Sequence, residues 1–104
     1  MEINFEQVSL QVIAHSGDAK GKIMEALQNA KALKYEQATK LLQDAEKDLI
    51  LAEKAHMEVV VKETQGDKLQ IPLLLIHAED QMLTTQTLLL VVQELIELYK
   101  KINH

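Results

Sequence analysis

The sequence predicts an all-α protein, an antiparallel three-helix bundle of spectrin-like, up-down-up form. Three observations carry the prediction. The chain is written largely in Ala, Leu, Val, Gln, Glu and Lys, with three Gly, one Pro, no Trp and 3% aromatic residues, an alphabet that favours helix. Its apolar residues return at intervals of three and four, the period of one helical face. Only the link at 33–34 and the polar stretch at 65–70 interrupt that rhythm. At 104 residues the chain is expected to form one domain, residues 1–104, with a hydrophobic core that needs no staples.

The first helix is expected over about 3–33. Phe5, Val8, Val12, Ala19, Ile23, Ala26 and Ala30 share its stripe, and His15 fills the gap between Val12 and Ala19. Gly17 and Gly21 each cost about 1 kcal/mol against Ala inside a helix, which predicts a kink or a close helix crossing beside them. A break at Ser16-Gly17-Asp18 is the other reading, but the apolar register runs through it.

The second helix is expected over 35–64. Its stripe is Ala38, Leu42, Ala45, Leu49, Ala52 and Val59, with His56 in the core position before Val59. Lys40, Asp44, Lys47, Asp48 and Lys62 form a solvated opposite face. The link Leu33-Lys34 is so short that the two helices must turn back on each other as a hairpin. The run from Ala26 to Ala45 also has the rhythm of a tetratricopeptide repeat, which points to a peptide binder, but the period does not recur.

The third helix is expected over about 72–102, with Pro72 in its first turn, where a missing N–H costs nothing. It is apolar nearly all round. Leu75, Ala78, Met82, Leu89, Val92, Ile96 and Tyr99 line one face; Leu74, His77, Gln81, Thr84, Leu88, Val91, Leu95 and Leu98 line another. Two partner helices cover only one of these, so the other is expected to pack on copies of itself in a homo-oligomer with a helical core. Asp80 shares a side with Ile76, Leu83, Thr87 and Leu90. Symmetry copies of this carboxylate near an axis repel unless they share a divalent cation or a proton.

The bulk numbers exclude several functions. With no cysteine there is no disulfide scaffold, thiolate metal site or cysteine nucleophile, and a reducing compartment fits. A net charge of −5 offers no electrostatic footprint for nucleic acid. The opening Met-Glu-Ile-Asn-Phe-Glu resembles no export signal, and no apolar run reaches the ~20 residues that span a bilayer, so a cytoplasmic protein without direct membrane insertion is expected. Ser9 and Ser16 are the only serines and neither lies in a strained turn, and there is no glycine-rich phosphate loop. A self-contained enzyme is therefore not expected.

His77 and Asp80 stand one turn apart in the most apolar helix. The imidazole of His77 can accept an acyl or phosphoryl group or move a proton. Equally, His77 can be a core histidine bonded to Asp80 or to a backbone carbonyl, the pair merely setting oligomer register in a helical scaffold or regulator. His15 and His56 read as structural histidines, and terminal His104 carries no information. His-x-x-Asp supplies only two metal ligands, so a metal site needs ligands from symmetry copies.

The stretch Leu75-Ile-His-Ala-Glu-Asp-Gln-Met-Leu-Thr84 resembles the active helix of the lactose/cellobiose family of enzyme IIA proteins, soluble phosphoryl carriers of the bacterial sugar phosphotransferase system. The likeness extends to His15-Ser16-Gly17-Asp18-Ala19-Lys20, Tyr35-Glu36-Gln37-Ala38, Ala55-His56 and Glu94-Leu95-Ile96-Glu97-Leu98. It implies a homotrimer of three-helix subunits. His77 then accepts a phosphoryl group from the phosphohistidine of HPr, as a tele-phosphohistidine, and passes it to a cysteine of the cognate enzyme IIB during uptake of a β-linked disaccharide. Asp80 matches the aspartate gathered at the trimer axis around a divalent ion, expected to be Mg2+. Gln81 and Thr84, at i+4 and i+7 from His77, are placed to donate hydrogen bonds to the phosphoryl oxygens. Two positions depart from the family pattern His-Ala-Gln-Asp-His: Glu79 stands for the glutamine and Gln81 for the second histidine. A carboxylate beside a phosphohistidine repels it, so Glu79 either points away or lowers phosphoryl affinity.

Overall fold

Asn4 starts the first helix of the computed structural model, which describes residues 3–103. Its backbone is extended and its side-chain Oδ1 accepts from the Gln7 N–H at 3.0 Å, satisfying one of the donors that a helix start leaves unpaired. Helix α1 then runs over Phe5–Lys31, α2 over Tyr35–Thr64 and α3 over Leu73–Ile102. The expected ends at 3 and 33 therefore move inward. Pro72 also sits one step earlier than expected: it is the extended residue before α3, its carbonyl accepting from the Leu75 N–H at 3.1 Å.

Both turns close the preceding helix in the same way. After α1, Lys34 N–H donates to Asn29 O at 2.8 Å and Leu33 N–H to Ala30 O at 3.0 Å; after α2, Asp67 N–H donates to Lys62 O and Gly66 N–H to Glu63 O. This paired closure requires a left-handed residue, supplied by Gly66 at φ 92° and, against its sterics, by Leu33 at φ 65°. Each turn reverses the chain, and the three helices form a rod 54 Å long and 19 Å across.

The core runs along the rod as two clusters. One gathers Ile23, Leu42, Leu49, Leu89, Val92 and Ile96 among alanines; the other gathers Val8, Val12, Val59, Leu75 and Met82 with Ala52, Ala55 and Ala78. Helix α1 packs on both partners, while α2 and α3 meet more narrowly.

Several expectations need correction. Ser16, not His15, is the buried residue between Val12 and Ala19, and Ala55, not His56, is the buried residue before Val59. Each histidine stands half-buried one position away. Where alanines line the stripe the helices approach closely, and a small side chain wins the inward position. Helix α1 is continuous, and open space surrounds both Gly17 and Gly21, so no close crossing occurs there. Asp48 is not solvated: its side chain is 15% exposed and takes a 2.6 Å salt bridge from Lys22 of α1. The tetratricopeptide rhythm has no counterpart, since α3 completes a bundle rather than starting a second repeat. His104 lies outside the described residues.

Candidate functional site

The buried face of α3 orients every residue of the site. Leu75, Ala78, Met82, Thr85, Leu89, Val92 and Ile96 point into the bundle, as expected except that Thr85 joins them and Tyr99 is only half-buried. Thr85 enters a core position because its hydroxyl donates to Gln81 O at 2.6 Å and so leaves no unmet donor. Asp80 lies two residues from both Ala78 and Met82, roughly 200° around the helix from each, and points directly away from the core. It is exposed.

Ala78 also separates two flanks. His77 precedes it and Glu79 follows it, each about 100° around the helix from its inward direction, so the two side chains leave on opposite sides. Glu79 goes toward α2, where its Oε2 meets Nδ1 of His56. Two turns further on, Gln86 makes the same crossing, donating to Glu53 of α2 at 3.1 Å. His77 goes to the α1 side. Three residues before it, Leu74 lines a groove with Phe5 and Leu10 of α1. The imidazole is exposed and no hydrogen bond joins it to Asp80, so within one chain the pair is not a buried structural couple.

Gln81 and Thr84 share the flank of His77, Gln81 half-buried and Thr84 exposed. The Thr84 hydroxyl donates to the Asp80 carbonyl at 2.8 Å, so it must rotate before it can donate to anything bound at His77. The His56–Glu79 couple escaped sequence reasoning. The signal was present in the one-step ambiguity of the α2 stripe: once Ala55 takes the inward position, His56 falls on the edge facing α3.

The outward side of α3 remains apolar and uncovered. Leu83 and Leu90 are 54% and 63% exposed, and Ile76, Val91, Leu95 and Leu98 continue the surface above and below Asp80. Among the described residues no three of His, Cys, Asp or Glu gather where one chain could hold a metal ion. No described helix is long and apolar enough to cross a membrane.

Comparisons with known proteins agree with one another. The chain is 36% identical over 102 residues to the lactose-specific EIIA component of Streptococcus mutans, covering 95% of this chain and 98% of that one. It is 37% identical over 103 residues to the lichenan-specific enzyme IIA component of Bacillus subtilis, covering 99% and 94%. Among solved structures, the cellobiose-specific enzyme IIA of Bacillus anthracis superposes with a TM-score of 0.91 at 36% identity, covering 98% and 94%. The chitobiose IIA from the Escherichia coli IIA–HPr complex superposes at 0.77 with 28% identity, covering 99% and 100%. Residues 7–100 match the family model described as the lactose/cellobiose-specific IIA subunit of the phosphotransferase system, and with three helices and an exposed histidine in the matched α3 motif, this chain belongs to that family.

Proposed function

We propose that this IIA component carries its phosphoryl group on Nε2 of His77. The observation that carries the reading is the placement of His77: it is the exposed imidazole of the α3 motif, on a flank bordered by apolar side chains. The donor is the phosphohistidine of HPr, the partner held by the structurally similar chitobiose IIA. As the donor's P–N bond breaks, its electron pair returns to the donor ring and the P–N bond to His77 Nε2 forms. In the second transfer that bond breaks in turn as a cysteine thiolate of enzyme IIB takes phosphorus. Such a relay needs an in-line nucleophile and charge stabilisation more than acid–base machinery. Gln81 and a rotated Thr84 supply hydrogen bonds to the phosphoryl oxygens, while Leu74 and Leu88 restrict water and slow hydrolysis.

The working form is a homotrimer in the cytoplasm, its α3 helices sheltering one another along the surface that one chain leaves uncovered. Three exposed Asp80 carboxylates then meet near the axis. One chain alone offers no metal site, but three carboxylates are the hard oxygen donors that suit Mg2+. When bound, the ion offsets their mutual repulsion. The cognate sugar is a β-linked disaccharide or a related oligosaccharide, the class named by relatives specific for lactose, lichenan and oligo-β-mannosides.

The decisive experiment is intact-mass spectrometry after incubation with phosphoenolpyruvate, enzyme I and HPr. Wild-type protein gains one acid-labile phosphoryl group. The His77→Ala protein gains none; phosphorylation of that variant by phospho-HPr overturns the assignment.

A further inference from the structure

At one tip of the rod α1 ends, α2 begins and α3 ends. The Tyr35 hydroxyl of α2 donates to the Tyr99 carbonyl of α3 at 3.2 Å, and Lys100 Nζ stands 5.7 Å from the centre of the Tyr35 ring, so the three helix ends share this pole. Lys31, Lys34, Lys100 and Lys101 are exposed there. Residues 31–39 and 98–103 set these four lysines against a single acidic residue, Glu36, in a chain whose net charge is −5. Among the lysines, Leu33 is 57% and Ile102 67% exposed. Lysines in the last turns of α1 and α3 suit the negative ends of those helices. The turn between α1 and α2 has no such local reason. Leu33 takes φ 65°, where glycine is favoured, and Lys34 stands at the N-cap of α2, where a short polar side chain is favoured and a positive charge is not. Two residues that work against the local backbone, one apolar and one basic, are therefore displayed side by side at the tip, and neither serves the core.

We propose that this tip is a peripheral docking surface for an anionic lipid bilayer. Lysines hold the headgroup phosphates, while Leu33 and Ile102 settle among the headgroups without spanning the membrane. Each lysine close to such a surface is worth about fivefold in binding. The acidic majority of the chain does not cancel this, because charges are screened over about 8 Å at physiological salt and the rod is 54 Å long. The surface belongs to one chain; in the trimer proposed above the three α3 helices lie side by side, so three tips share one end and act together. His77 stands near the start of α3, roughly 35 Å along the helix from Lys100. Docking by the tip therefore leaves the imidazole facing away from the bilayer, open to carriers arriving from solution. A phosphoryl charge on His77 lies several screening lengths from the lipid, so attachment is the same before and after phosphorylation.

Co-sedimentation with lipid vesicles tests this. The full chain pellets with phosphatidylcholine vesicles that contain about 30% phosphatidylglycerol and stays in solution with phosphatidylcholine alone. Raising the salt from about 0.05 to 0.5 M lowers the partition at least tenfold. Lys31→Gln with Lys34→Gln weakens binding at least tenfold, whereas Lys47→Gln with Lys68→Gln, which removes the same charge from exposed positions away from the tip, leaves it within about twofold. Leu33→Gly weakens binding severalfold although its thermal midpoint is no lower than that of the wild type, which separates a lost contact from a lost fold. Failure of the wild type to pellet with the anionic vesicles at low salt overturns the proposal, and it is the result expected if the lysines meet an acidic protein instead of lipid. Equal losses in the two lysine pairs overturn it as well, since net charge rather than the tip would then be the cause. The His77→Ala protein binds as the wild type does, so failure of the docking surface and failure of carriage on His77 are read separately.

Discussion

Lys22 crosses from α1 to Asp48 of α2 and donates to its Oδ2 at 2.6 Å. This hydrogen bond raises the lysine above its ordinary value of 10.5, helped by the charges of Asp48, Asp44 and Asp18 and opposed by burial. A pKa raised on folding means that the folded state binds the proton more tightly. Its stabilisation is complete below 10.5 and disappears as pH climbs through the folded value. Between pH 10 and 12, wild-type stability in urea titrations should therefore fall more steeply than that of Lys22→Met. The difference should stay below about 1 kcal/mol, since the lysine is 37% exposed and solvent screens the pair. Leu33 offers the opposite case, a residue in a conformation that its side chain resists. Its φ of 65° is imposed by the closing bonds of α1, and the side chain is mostly exposed. Leu33→Gly should raise stability by about 0.5–1 kcal/mol, read as a thermal midpoint a few degrees higher, because the strain disappears without loss of core packing.

At the scale of elements, α3 is where sequence and structure inform each other most. Its inward set was legible almost completely, because an unbroken 3.6-residue period over 30 residues leaves one consistent face. The α2 bounds were legible for a similar reason, with the stripe starting at Ala38 and the polar stretch after Thr64 ending it. The one-residue slips at His15 and His56 were not. Val12 and Ala52 each permit an inward neighbour at i+3 or i+4, and periodicity cannot choose between them; interhelical distance does, and that is a property of two helices together. The same limit hid the His56–Glu79 couple, which joins residues 23 apart in the chain. Asp80 tests the outward face. If three copies converge on an axis, Asp80→Leu removes the repulsion and adds apolar surface, so the variant should remain trimeric by sedimentation even with chelator present. A monomeric Asp80→Leu protein would refute the axial placement.

For the whole molecule, the proposed trimer would make folding and assembly one equilibrium, because it covers the face that one chain leaves exposed. A rod 19 Å across has few interior positions per turn, and α3 leaves Leu83, Leu90, Val91 and Leu98 in water unless copies cover them. Burying side chains of this kind is worth about 1.5–3 kcal/mol each when complete, so in the proposed trimer the covered α3 surface supplies a large part of the stability. If a folded trimer melts directly to three unfolded chains, mass action removes two-thirds of the tenfold term of about 1.4 kcal/mol per chain for every tenfold dilution. That is about 0.9 kcal/mol, and for a chain of this length it should lower the thermal midpoint by roughly 4–7 °C. Circular dichroism melts across a hundredfold concentration range read this directly, as successive drops of similar size. A midpoint independent of concentration would mean that each rod holds itself together alone, and the proposed trimer would lose its thermodynamic basis.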